Sequence, residues 1–217
     1  MTTNAPSAPE GAHRLFGERL PHAETFARFL ADTGVSHGLI GPREVPILWE
    51  RHILNCAVIE GAFPRGIHIV DVGSGAGLPG IALAIVRPDV HLTLIEPMQR
   101  RTEWLESTVA ELGLGRVSVR RGRAEDFHGS VRAPYVTARA VARLDKLARW
   151  CFPLLEDKGV LVALKGRSAE EELTATTKGL RRLGMTSASV RRHGEDLLDT
   201  PAITVDCLVA RPPARST

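Results

Sequence analysis

Ile69-Val70-Asp71-Val72-Gly73-Ser74-Gly75-Ala76-Gly77-Leu78-Pro79-Gly80, continued by Ile81-Ala82-Leu83-Ala84-Ile85-Val86, is the stretch on which the reading of this chain turns. A short β-branched run ends in an acid, a glycine cluster follows, and an apolar segment of helical length comes next. That order reads as a strand, a tight turn and a helix start. Glycine has no Cβ, so the turn can take positive φ and let the backbone approach a ligand closely. The helix behind it offers unpaired N–H groups and a partial positive charge. Together they make a seat for a nucleotide-type cofactor; the plainer alternative is a structural glycine turn.

Gly75-Ala76-Gly77-Leu78-Pro79-Gly80 satisfies the dinucleotide pattern G-x-G-x-x-G, which is weak evidence alone. Two details point elsewhere. The alternating glycines begin already at Gly73, and Asp71 stands two residues before it. A carboxylate there suits a cationic ligand end such as a methionine ammonium, whereas a pyrophosphate gains nothing from it. The run from Asp71 through Gly73, Gly75 and Gly77 resembles the first motif of S-adenosylmethionine-dependent methyltransferases. That cofactor is favoured over a nicotinamide.

With 217 residues, 43% hydrophobic and 24% charged, the chain has enough apolar content for one domain with an extension. No apolar run reaches the length of a membrane span. Residues 1–10 lack the basic start and apolar core of a signal peptide and read as a disordered tail. Cys56, Cys151 and Cys207 are scattered and form no C-x-x-C pair, which fits free thiols in a reducing cytoplasm. The eight histidines show no metal-binding spacing, so no metal is expected. Only four of the 28 basic residues are lysines. Arginine's planar fork suits phosphate and base edges, although a GC-rich genome would give the same bias.

Outward from the glycine turn, residues 11–66 read as a helical extension. Residues 12–32 are one or two short helices ending near Gly34, and residues 47–60 form a helix apolar almost all round. From residue 67 to 210 strands and helices alternate. Strands are expected at 67–72, 91–96, 117–121, 135–141 and 159–164, with helices at 78–86, about 98–112 and 144–155, and another ending near Gly184. Residues 186–192 and 202–210 are extended with no helical spacer, which predicts an antiparallel hairpin at the sheet edge. Residues 211–217 read as a tail. The fold class is α/β and Rossmann-like, as in class I S-adenosylmethionine-dependent methyltransferases: a mostly parallel seven-stranded sheet, a terminal antiparallel hairpin and an N-terminal helical extension. Its ligand crevice is expected at the carboxyl ends of the strands.

Several side chains are predicted to meet there. Glu96 ends the second strand about twenty residues past the glycine turn, where an acid can accept hydrogen bonds from both ribose hydroxyls. Ala124 and Glu125 follow the third strand and are expected to face the adenine. Arg139 ends the fourth strand and Lys165 the fifth, so both are expected to hold an anion, either the cofactor carboxylate or a substrate phosphate. Arg51 and His52 interrupt the apolar helix of the extension; His52 could equally be a satisfied histidine on a half-buried helix. Arg120, Arg121 and Arg123 read as surface charge or as a guide for a polyanion.

Four pieces together resemble the RsmG (GidB) family of bacterial 16S rRNA guanine-N7 methyltransferases. They are Trp49-Glu50-Arg51-His52-Ile53-Leu54-Asn55, the glycine stretch through Leu78-Pro79-Gly80, Ala138-Arg139-Ala140 and Ala163-Leu164-Lys165-Gly166. The resemblance covers almost the whole chain apart from residues 1–10. It implies cofactor contacts at Gly73, Leu78, Ala124, Glu125 and Arg139, and a substrate guanine in the 530 loop of the small-subunit rRNA. Asn55 stands where many members carry Asp, and Cys56 where many carry Ser. The implied partner is 16S rRNA or the small ribosomal subunit, met in the cytoplasm by a monomer without membrane or metal. Arg51, His52, Lys165 and Arg123 are the expected RNA contacts. Two other readings stay open: a non-catalytic RNA-binding assembly factor, and a small-molecule methyltransferase.

Overall fold

The computed structural model describes residues 5–212. The expected features of residues 1–4 and 213–217 lie outside the described residues.

The extension begins with α1 (Glu10–Phe16) and α2 (Leu20–Phe29), which runs on through a π-helical turn, Leu30–Gly34. A 3-10 stretch, Pro42–Ile47, leads to a second π-helical segment, Trp49–Leu54, then α3 (Asn55–Ala57) and a 3-10 turn, Val58–Ala62. The apolar stretch 47–60 is therefore helical as expected, but it is one segmented run rather than one α-helix. The second π-helical segment carries Arg51 and His52, and such wide turns recur at functional positions. The tail reading of residues 5–10 is corrected: Ala5 and Ala8 pack on the core, Trp49 Nε1 donates to the Pro6 carbonyl at 2.9 Å, and α1 already starts at Glu10.

The sheet has seven strands: β1 (His68–Val72), β2 (His91–Glu96), β3 (Val117–Arg121), β4 (Ala133–Arg139), β5 (Leu155–Lys165), β6 (Met185–His193) and β7 (Ala202–Val209). Their order is β3-β2-β1-β4-β5-β7-β6. The first five run parallel, and β7 lies antiparallel between β5 and β6. The predicted terminal hairpin is present. The helices between strands are α4 (Gly80–Val86), α5 (Gln99–Glu111), α6 (Leu144–Cys151) and α7 (Ala169–Arg182). α4 starts two residues later than the apolar pattern suggested, because the glycine turn extends to Pro79. The strand order reverses at β1, which opens a crevice between the ends of β1 and β4.

One face of the sheet packs on α4, α5 and the extension in a single core that includes Phe26, Leu30, Leu48, Ile53, Ile81, Leu83 and Leu105. The other face is covered by α6 and α7 around Leu147, Phe152, Leu161 and Leu180. The extension shares its core with the sheet and has none of its own. Arg87, after α4, pins the joint between them. It pairs with both carboxylate oxygens of Asp89 at 2.7 and 2.8 Å and donates to the carbonyls of Glu60, Phe63 and Pro64.

At the centre, the fully buried Asp71 accepts the Gly80 N–H on Oδ2 at 3.0 Å. The carboxylate thus caps the first residue of α4, where the helix dipole favours negative charge. A Cβ on Gly80 would collide with Leu94 and with this same carboxylate, so glycine is what lets helix and strand close. Among the described residues Asp71 Oδ1 has no hydrogen-bond donor, and burial pushes the acid up to about 7. The unfolded chain titrates this acid near 3.9. Between about pH 4 and 7 the folded state therefore holds a proton that the unfolded state has released, and stability falls as pH rises through that window. Urea unfolding at pH 5 and pH 7 is expected to show this slope, up to about 1.4 kcal/mol per pH unit, and Asp71→Asn is expected to flatten it. Parallel slopes for both proteins would show that Asp71 stays ionised.

Candidate active site

A crevice of about 990 Å³ opens at the carboxyl ends of the parallel strands. One wall is the glycine turn: Gly73, Ser74, Gly75, Ala76 and Leu78 line it. Gly73 takes φ +71 and Gly75 φ +54. A Cβ on Gly73 would lie 2.9 Å from Val141 Cγ2, so the turn also needs glycine for contact with the loop after β4. Gly77 (φ +77) does not line the crevice; a side chain there would strike Ile81, and its role is to seat α4.

Glu96, only 2% exposed, is held by two backbone donors. Gly75 N–H reaches Oε2 at 3.1 Å and Met98 N–H reaches Oε1 at 3.0 Å. Each oxygen keeps a further lone pair. The carboxylate lines the crevice and can accept from two adjacent hydroxyls, the pattern a ribose presents. Arg101 Nη1 lies 3.9 Å away.

Asp71 is placed otherwise than the sequence suggested. It is buried beneath the turn, bound to Gly80, and is not among the residues lining the crevice. Period-two alternation predicts which face of the sheet a strand residue takes, but not whether a turn folds over it. Ala124 and Glu125 form a 3-10 turn, Ala124–Phe127, just past β3. They also lie outside the crevice lining, as does Arg123, whose backbone N–H donates to Asp126 Oδ2 at 2.7 Å.

Arg139, Arg51, His52 and Lys165 do line the crevice. Three of them, Lys165, Arg139 and His52, are already engaged through their side chains. Lys165 Nζ donates to Glu172 Oε1 and to the Ala142 carbonyl, both at 2.9 Å. Glu172 also accepts the Leu144 N–H. Lys165 therefore braces the loop 140–143 as well as facing the crevice. Arg139 spans the opposite gap: Nη1 donates to the Arg51 carbonyl at 3.2 Å and Nη2 to His52 Nδ1 at 3.0 Å. His52 Nε2 meets Glu44 Oε2 at 2.8 Å. A guanidinium only donates, so Nδ1 must accept and Nε2 must carry the proton. Burial, followed by the Arg139 charge, lowers the His52 pKa, consistent with a neutral ring. Arg51 is more exposed and lies 3.6 Å from Glu44.

Glu44, Met98 and Glu172 were missed in the sequence. Glu44 sits eight residues from His52 in a proline-flanked 3-10 stretch, while His52 lies in the π-helical segment, so no periodicity within one element links the two. The three cysteines are buried free thiols. Burial raises Cys56 to about 11 and Cys207 to about 12, which leaves both protonated. No group of three or more His, Cys, Asp or Glu side chains gathers as a metal site among the described residues.

The fold is shared with solved methyltransferases. A SAM-dependent O-methyltransferase from Thermotoga maritima matches with a TM-score of 0.54 at 17% identity, covering 76% of this chain and 67% of that one. Fibrillarin from Aeropyrum pernix, solved with natively bound S-adenosyl-L-methionine, matches with a TM-score of 0.54 at 19% identity, over 73% and 75% of the two chains. Sheet order, glycine turn and crevice thus define an S-adenosylmethionine-dependent methyltransferase fold. Residues 19–198 match the family model described as rRNA small subunit methyltransferase G. The chain belongs to that family. A ribosomal RNA small subunit methyltransferase G from Arthrobacter sp. (strain FB24) is 54% identical over 200 residues, 92% of this chain and 93% of that protein. One from Streptomyces avermitilis is 51% identical over 209 residues, 96% and 88%.

Gly73→Val is expected to abolish S-adenosylmethionine binding in calorimetry, since the position needs positive φ and its Cβ would press on Val141. Retained binding would show that the turn is not the cofactor seat.

Proposed function

We propose that this crevice transfers a methyl group from S-adenosylmethionine to N7 of a guanine in the 530 loop of bacterial 16S rRNA. Family membership supports the substrate, and the scattered free thiols support a cytoplasmic setting. One observation carries the choice of reaction. Among the described residues lining the crevice, no side chain stands ready as a base: His52 is bonded at both ring nitrogens, Glu44 is paired with His52, Lys165 is paired with Glu172, and the spare lone pairs of Glu96 are assigned to the cofactor ribose. Guanine N7 carries a lone pair and no proton, so its methylation needs no base. Catalysis then rests on proximity and alignment.

The residues present fit the cofactor. S-adenosylmethionine supplies a methyl group on a positively charged sulfur, which a lone pair in line can accept. Glu96 holds the ribose hydroxyls through its two spare lone pairs. Gly73 and Gly75 let the backbone close on the ligand, with Leu78 giving an apolar contact. Ala124 and Glu125 are assigned to the adenine end. Asp71 and Gly77 support the site from beneath by fixing α4.

Arg139 is assigned to an anionic group. A guanidinium bidentate to guanine O6 and N7 would occupy the lone pair that must attack. Arg51 and His52 on the extension, Lys165 after β5 and Arg123 after β3 are assigned to the RNA side. The protein is taken to act as a monomer and without metal. A purely RNA-binding role is disfavoured by the intact glycine turn and Glu96.

Purified small subunits and naked small-subunit rRNA from a strain lacking the gene, each incubated with protein and labelled S-adenosylmethionine, test the proposal. Label at guanine N7 in the 530 loop is expected in at least one of them. No label in either, with cofactor binding intact, would move the substrate to another RNA or a small molecule.

A further inference from the structure

The file Glu44–His52–Arg139 joins three parts of the chain: the turn before the π-helical segment, the segment itself and the end of β4. Its two contacts, 2.8 and 3.0 Å, are short and consistent in polarity. Glu44 accepts from Nε2–H, which leaves the Nδ1 lone pair facing Arg139 and no other tautomer compatible with both contacts. Arg139 is further fixed by the Arg51 carbonyl. With N–H donors spent on the Arg51 carbonyl and His52, and a further contact to the buried Cys56 thiol, the guanidinium holds one orientation on the crevice wall and still has N–H groups left for a ligand.

We infer that Glu44 and His52 are positioning residues that fix Arg139 so that its remaining N–H groups meet an anionic group, a carboxylate or a phosphate, of a ligand in the crevice. This deepens the proposed function and rests on it. The logic is that of a carboxylate that sets a histidine's tautomer so that the far nitrogen presents the right atom. Here the far nitrogen presents a lone pair to an arginine. Glu44 touches neither cofactor nor base in this role and acts only through His52.

The arrangement has a built-in acid limit. Protonation at Nδ1 turns the acceptor into a donor facing a guanidinium, and Arg139 is released. The charges facing His52 are Glu44 from the 3-10 stretch, Arg139 from β4 and Arg51 from its own segment. Glu44 favours the imidazolium; the two arginines oppose it. Activity is therefore present above the His52 pKa and lost as pH falls through it. Removing the Glu44 charge while keeping an acceptor moves that limit to lower pH.

Glu44→Ala and Glu44→Gln test this. Methylation by the wild-type protein is measured first, so that failure of the proposed function is recognised separately. Glu44→Ala is expected to lose about tenfold in kcat/KM at pH 8 with an unchanged fraction folded. Glu44→Gln is expected to recover most of that loss and to shift the acid limb below that of the wild type. Calorimetry with S-adenosylmethionine assigns the anion: a weaker Kd in Glu44→Ala points to the cofactor carboxylate, whereas an unchanged Kd with a raised KM for RNA points to a phosphate. Nitrogen NMR of His52, which needs no substrate, is expected to show a single Nε2–H tautomer in the wild type and a mixture in Glu44→Ala. An acid limb of Glu44→Gln that coincides with the wild type, Glu44→Ala with both Kd and KM unchanged, or a wild-type ring protonated at Nδ1 would overturn the inference.

Discussion

The bond from Gly80 N–H to Asp71 is the constraint on which the rest of this structure depends. It fixes the start of α4 against the end of β1 with almost no room, because even a Cβ on Gly80 would collide with Leu94 and with the carboxylate itself. Once that contact is set, the glycine turn has a defined path from Val72 to Pro79. Gly75 N–H then meets Glu96 across the gap between β1 and β2. A buried acid thus organises a site that it does not line. Its cost is a carboxyl group with one oxygen unsatisfied in a dry interior, and that cost is offset by protonation near neutral pH.

The crevice has two walls of different origin. The sheet supplies the glycine turn, Glu96, and the strand ends bearing Arg139 and Lys165. The extension supplies Glu44, Arg51, His52 and Asn55. The walls are joined above by the Arg139 contacts and below by the shared core around Leu48, Ile53 and Ile81. A hydrophobic core sets distance and a hydrogen-bonded file sets orientation. Burial alone would leave the extension free to slide by a fraction of a turn; the polar file cannot tolerate that.

Local chemistry wrote much of this into the sequence. β2 and β3 were bounded correctly, because Pro97 and Gly122 punctuate the β-branched runs before them. The glycine turn was legible because positive φ demands glycine at fixed offsets. The terminal hairpin was legible because no helical segment separates its strands. What was not legible depends on contacts between residues far apart in the chain. Nothing near Arg139 marks it as the partner of His52, 87 positions away. Nothing in the fifth strand shows that Lys165 would find Glu172 on the next helix. The depth of Asp71 was hidden because alternation along β1 gives a face, and the overlying turn then decides exposure. The π-helical turns left no compositional trace; they appear only in the hydrogen-bond pattern.

The extension is also clasped from the far end of the chain. Arg14 pairs with Asp196, Leu198 and Ala202 join the core that holds Phe26, and a Cβ on Gly194 would press on Val58. During synthesis the extension emerges first, yet its core partners in α4 and in the connection before β7 come later, some of them more than a hundred residues later. Those helices can pack on α4 early, but the Arg14–Asp196 pair and the Leu198 and Ala202 contacts wait for residues made much later. A nascent chain that holds the whole glycine turn would still lack that clasp on the extension, and with it part of the support for the wall that carries Arg51 and His52.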